Sequence, residues 1–142
     1  MTTTPPPITS VCDGYMRSIY EKNAAAFLAL YHPNARVFDT WSVWSYEGTN
    51  QRKEVIEKWF SSLGTERVQV GFDRVECCSG ADMAVLTARV TYAALSAEGK
   101  ELRRMENRLT WALKPEGGTL KIYHEHTSVP IGFSDLKGIF GS

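Results

Sequence analysis

Everything after Gly64 in this chain reads as strand, following a first half dominated by helical spacing, and that change limits what it can fold into. Before it, apolar residues recur at helical intervals: Ile8, Val11, Cys12, Tyr15 and Ile19 form one stripe, and Val55, Ile56, Trp59, Phe60 and Leu63 form another. A shorter helix is expected over 23–31, presenting Phe27, Leu28, Leu30 and Tyr31. His32-Pro33-Asn34 stops it, because proline disfavours helix in the residue before it. Extended chain follows at 36–39. The aromatic-dense stretch from Trp41 to Gly48 lacks helical period and reads as a loop and a short strand, after which Asn50 can cap a third helix over 51–63. Beyond Gly64 come four runs rich in β-branched and aromatic residues, about 67–78, 83–95, 101–114 and 120–129. Ser79-Gly80, Glu98-Gly99 and Gly117-Gly118 separate them. Helices first and then a meander of strands predict an α+β domain, a curved, cone-shaped antiparallel sheet with three N-terminal helices packed on one face.

The last two turns also predict register. If each is a two-residue turn, Ala97 opposes Lys100 and Glu116 opposes Thr119. One face then collects Leu86, Ala88, Val90 and Tyr92, then Met105, Asn107, Leu109, Trp111 and Leu113, then Leu120, Ile122, His124, His126 and Ser128. That face is apolar and should lie under the helices. The other collects Val85, Thr87, Arg89, Thr91 and Ala93, Glu106 and Arg108, and Tyr123 and Glu125, with Arg108 near Glu125. It is too apolar to be left in water, so a homodimer through it is expected. A β-bulge would flip the phase beyond it.

The 142 residues suffice for one core without disulfide or metal support. We divide them into a disordered leader over 1–7 containing three consecutive prolines, a domain over 8–130, and a C-terminal tail over 131–142 whose place the pattern does not fix. The 16 Lys and Arg balance the 16 Asp and Glu, which argues against nucleic acid or an anionic membrane surface as partner. No apolar stretch approaches the roughly 20 residues of a membrane span. Three cysteines, Cys12 and the adjacent Cys77 and Cys78, imply no disulfide framework, and a reduced, cytoplasmic setting is expected.

On the helix-covered face the apolar character fades where Asn107, His124, His126 and Ser128 join Tyr92, Met105 and Trp111, as at the opening of a pocket. The two histidines read either as hydrogen-bonded rim residues or as ligand contacts, one of them a proton carrier. A metal would need a third ligand such as His32, Asp39 or Glu106, none of which the pattern brings near, and neither metal nor cofactor is expected. Trp44 and Trp59 read as core aromatics or as pocket wall.

The run Leu120-Lys-Ile-Tyr-His-Glu-His-Thr-Ser-Val-Pro130 resembles the closing strand of SnoaL-like proteins and of the calcium/calmodulin-dependent kinase II association domain, within the nuclear-transport-factor-like fold. Leu120 stands where an aromatic is usual. The resemblance implies a cystatin-like roll and a binding arginine on the preceding strand, for which Arg108 is the candidate. Tyr31-His-Pro-Asn-Ala-Arg-Val-Phe-Asp39 is similar to ketosteroid isomerases. That likeness implies Asp39 as general base and Tyr15 as the donor to a substrate oxygen; the third polar group of those enzymes is a late aspartate, and since no Asp occurs between Asp82 and Asp135, Glu106 or a histidine such as His124 would stand in for it. Two functions follow as expectations: a small-molecule site with isomerase-like proton transfer, or a non-catalytic oligomerisation domain like that of the kinase.

Overall fold

The computed structural model describes residues 6–142. Helix α1 spans Pro6–Tyr20, α2 Ala24–Leu28, strand β1 Tyr31–Phe38, β2 Tyr46–Glu47 and α3 Thr49–Ser62. Strands β3 to β6 are Arg67–Ser79, Ala84–Leu95, Glu101–Glu116 and Thr119–Ser128. The leader expected over 1–7 lies outside the described residues up to position 5, while Pro6 and Pro7 open α1, where a preset φ and a missing N–H suit the first turn. Tyr31 begins β1 rather than ending α2. Asn50 lies inside α3, and the N-cap is Gly48, whose φ of 90° favours glycine and whose added Cβ would sit 3.0 Å from the Pro33 carbonyl oxygen.

The six strands form one sheet in the order β2-β1-β6-β5-β4-β3, antiparallel except where β1 lies parallel to β6. The expected phase holds across β4 and β5: Leu86 pairs with Trp111, Ala88 with Leu109, Val90 with Asn107 and Tyr92 with Met105. Near the turn the register slips, because Ser96 N–H donates to the Lys100 carbonyl and the connection is longer than two residues. The Gly117-Gly118 turn, with φ of 58° and 84°, is the expected two-residue hairpin, and Glu116 pairs with Thr119.

Four residues into β6 the expectation fails. Leu113 pairs with Ile122 but Ala112 pairs with His124, so Tyr123 is an extra residue and every later side chain changes face. Glu125 and Thr127 turn toward the helices and are buried, while His124 and His126 lie on the outer face opposite Ala112 and Thr110. Arg108, expected beside Glu125, donates from Nε to Ser128 Oγ at 3.1 Å on that outer face.

The core lies between the inner face of the sheet and the helices. Trp111, Leu86, Leu109, Leu113 and Ile122 meet Ile8, Val11, Tyr15 and Ile19 of α1, with Phe27, Ile56 and Phe60 closing the far side. No helix among the described residues is long and apolar enough to cross a membrane.

Candidate functional site

Between α3, the inner face of the sheet and the loop after β1 lies a cavity of about 760 Å³. Helix α3 contributes Arg52, Val55, Ile56 and Trp59, and the sheet contributes Val68, Tyr92, Met105, Asn107, Glu125 and Thr127. Tyr15 reaches it from α1, Asp39 from the end of β1, and Trp41 and Phe140 from irregular segments. A mostly apolar enclosure with a few convergent polar groups is the usual form of a small-molecule site.

Asp39 follows Val37 by two residues, so strand alternation carries it to the inner side. Its Oδ1 accepts the Thr127 hydroxyl at 3.1 Å, and Thr127 Oγ1 accepts the Thr40 N–H at 2.9 Å and the Thr40 hydroxyl at 3.0 Å. Asp39 Oδ2 has no partner among the described residues, which leaves one oxygen of a positioned carboxylate free.

The Tyr15 and Tyr92 hydroxyls lie 2.7 Å apart. One donates to the other, so one hydrogen of the pair remains for a further acceptor. Burial, then the neighbouring Tyr92 and Glu125, push the Tyr15 pKa well above its ordinary value; burial likewise raises that of Tyr92. Both phenols are thus donors at neutral pH. Asn107 is buried beside them, and its Oδ1 is without a partner.

Behind these groups sits a charge pair that the sequence pattern did not reveal. Glu125 Oε1 accepts the Tyr31 hydroxyl at 2.5 Å and the Trp111 indole N–H at 2.9 Å, and its Oε2 lies 3.9 Å from Arg52 Nη2. The Arg52 guanidinium carbon stands 5.1–5.6 Å from the ring centroids of Phe27, Tyr31 and Tyr46. Its Nε and Nη1 are buried without a hydrogen-bond partner. Burial works against the charge, but Tyr31 and the Glu125 carboxylate outweigh it and hold the pKa of Arg52 above its ordinary value. Arg52 falls four residues before Ile56 on the inward stripe of α3, a signal present in the sequence. Glu125 had none, because the bulge at Tyr123 precedes it.

Of the residues read from sequence, Asp39, Tyr15, Tyr92, Asn107 and Trp59 share this one cavity. His124, His126, Arg108 and Trp44 do not. His124 Nδ1 donates to the Arg36 carbonyl at 2.8 Å, and both histidine rings pack edge-on against Phe38. Neither reaches the cavity, and no group of three metal-ligating side chains forms among the described residues. Trp44 is 97% exposed. Trp111 is fully buried and acts through its hydrogen bond to Glu125 rather than as cavity wall.

The sequence profile of the SnoaL-like domain matches residues 8–132. No curated protein matches. Among solved structures the fold is similar to an NTF2-like protein of unknown function from Pseudomonas putida KT2440, with a TM-score of 0.80 at 17% identity, covering 94% of this chain and 91% of that one. It is similar also to a putative calcium/calmodulin dependent protein kinase II association domain from Xanthomonas campestris, with a TM-score of 0.74 at 16% identity, covering 89% of this chain and 88% of that one. A third similar structure is an uncharacterised protein with a cystatin-like fold from Caulobacter vibrioides, with a TM-score of 0.67 at 15% identity and 87% of each chain covered. At these identities the likeness carries the fold alone.

Proposed function

The chain belongs to the SnoaL-like domain family, and we propose that its cavity binds a small, largely apolar ketone and moves a proton beside the carbonyl, with Asp39 as general base. The observation that carries this reading is that a carboxylate with one free oxygen and a phenol pair with one free hydrogen line the same enclosure. Asp39 Oδ2 takes the proton from the carbon next to the carbonyl, and the electron pair moves onto the carbonyl oxygen as the enolate. The Tyr15–Tyr92 pair donates to that oxygen as its charge develops. The cavity's charge is the same before and after, since the negative charge leaves Asp39 as it appears on the ligand. Arg52 and Glu125 neutralise one another beside it. Return of the proton to a second carbon completes an isomerisation.

The test is deuterium exchange into 2-tetralone, a bicyclic enolisable ketone, followed by proton NMR in D₂O. The native protein is expected to accelerate exchange over buffer. D39N should abolish the acceleration, and Y15F/Y92F, which removes both hydroxyls of the pair, should reduce it by about a hundredfold, the usual effect of losing an oxyanion donor. Exchange at the buffer rate would refute the proton-transfer reading. A second reading, a non-catalytic oligomerisation domain, draws on the exposed Val85 and Tyr123 of the outer sheet face; it requires no exchange.

A further inference from the structure

The family profile ends at residue 132, yet the chain beyond it supplies part of the cavity wall. After β6 the segment doubles back. Gly132 N–H donates to the Lys137 carbonyl at 2.7 Å, Leu136 N–H to the Gly132 carbonyl at 2.9 Å, and Ile139 N–H to the Pro130 carbonyl at 2.8 Å. Strand β6 pairs with β5 only as far as Arg108, which leaves the earlier part of β5 with an open edge. The returning segment occupies it: Glu106 N–H donates to the Phe140 carbonyl at 2.8 Å. Ser142 Oγ then accepts from Arg89 Nη1 at 3.2 Å and donates to Glu106 at 3.4 Å. A Cβ on Gly138 would lie 2.9 Å from the Phe140 ring, so the glycine makes room for that ring. The ring is stacked on Trp41 at 5.0 Å between centroids and 9° between planes.

The backbone bonds of this segment thus hold one aromatic ring at one place, on a tryptophan from a different segment, beside the cavity. A stack that served only to fill space would be covered, but Trp41 is 51% and Phe140 37% exposed. Both also line the cavity. Tyr15, Asp39 and Asn107 line the same cavity as the stack, so a ligand whose oxygen sits among those groups has the stack within the same enclosure for its apolar part.

We propose that the segment Ile131–Ser142 is a lid on the cavity and that Phe140, seated on Trp41, is its specificity-determining residue, giving the mouth an aromatic surface against which a flat conjugated ring of the ligand lies. This rests on the cavity being a ligand site. It adds to the preference for unsaturated over saturated rings, which the aliphatic Val55 and Ile56 of α3 do not supply, because burial of apolar area alone treats the two alike while ring–ring contact does not.

Two uncharged alcohols of the same skeleton separate the terms: 2-naphthol, which is flat, and decahydro-2-naphthol, which is saturated. Titration calorimetry on the native chain should show tighter binding of 2-naphthol. F140L keeps apolar volume and removes the ring face; it should weaken 2-naphthol about three- to tenfold, the size of an aromatic pair contribution, and leave the saturated alcohol within about twofold. W41L, on the loop after β1, removes the ring on which Phe140 sits while leaving the lid's own residues unchanged, and circular dichroism checks that each variant is folded. Equal weakening of both alcohols, or unchanged selectivity in both variants, overturns the lid's role in specificity while the ligand site stands. Failure of the native protein to bind either alcohol overturns the ligand-site reading and this inference with it.

Discussion

Arg52 and Glu125 place opposite charges in the core, and removing one should cost far more than removing both. Their side chains are 7% and 2% exposed, and they meet at 3.9 Å. R52M leaves the Glu125 carboxylate with its hydrogen bonds from Tyr31 and Trp111 but without a cation, and it forfeits the guanidinium's contact with three rings. Breaking a buried pair on one side typically costs about 3–5 kcal/mol. With an unfolding entropy of roughly 2.1 cal/mol/K per residue, that is a fall of about 10–17 °C in Tm for a chain of this length. E125Q alone strands the arginine and should lose a comparable amount. In R52M/E125Q the introduced amide oxygen still accepts from Tyr31 and Trp111, and the methionine fills the ring-lined slot, so the double variant should lose only about 1–1.5 kcal/mol. Urea unfolding followed by tryptophan fluorescence supplies the cycle. If the two single losses simply add, with a coupling below about 0.5 kcal/mol, the buried pair is not the unit described here.

Tyr15, Tyr31 and Tyr92 have pKa values raised chiefly by burial, so the unfolded chain releases their protons first as pH rises. Their contribution to stability is complete below about pH 10 and is lost above it. Tyrosinate absorbance at 295 nm should therefore finish rising only as circular dichroism reports unfolding, and complete titration of a still folded protein would count against the assignment. A homodimer through the outer sheet face is expected from the exposed Val85 and Tyr123 beside Arg89 and Arg108. Ala93, grouped with them by alternation, is buried within the monomer. Light scattering should give twice the chain mass at micromolar concentration, V85D should give the monomer, and a monomeric native protein would remove the interface.

The fold was legible because the helical stripes and the glycine turns agree with one another. Ile8 to Ile19 and Ile56 to Phe60 are buried against the face that the two hairpins assigned to Leu86, Val90, Leu109 and Trp111. Tyr15 was placed facing the sheet by the apolar stripe of α1, whereas Asp39, one residue beyond β1, was singled out only by the likeness of its segment to ketosteroid isomerases. The closing of β1 onto β6 in parallel was not, because neither strand's pattern specifies its partner. Nor was the path of residues 131–142, whose place depends on the edge that β6 leaves open.

The bulge at Tyr123 is where periodicity misled, and its cause is polar rather than apolar. Continuing the alternation of Leu120 and Ile122 puts His124 and His126 inside, which the pattern permits as well as it permits Glu125 and Thr127. That register turns the Glu125 carboxylate outward and takes the acceptor away from the buried Trp111 N–H and Tyr31 hydroxyl, and the anion away from Arg52. Buried donors without acceptors cost about 1–3 kcal/mol each, and a buried unpaired cation costs more, so one unpaired residue in the ladder is the smaller penalty. The same shift brings Thr127 to Asp39 and Thr40. A hydrophobicity pattern registers none of this, because it counts what leaves water and not what must be bonded once there. Arg52, four residues before Ile56 on the inward stripe of α3, marked a buried charge but not its partner, because nothing in the pattern set α3 against β6. Of the two faces offered by β6, only the one carrying Glu125 supplies a carboxylate.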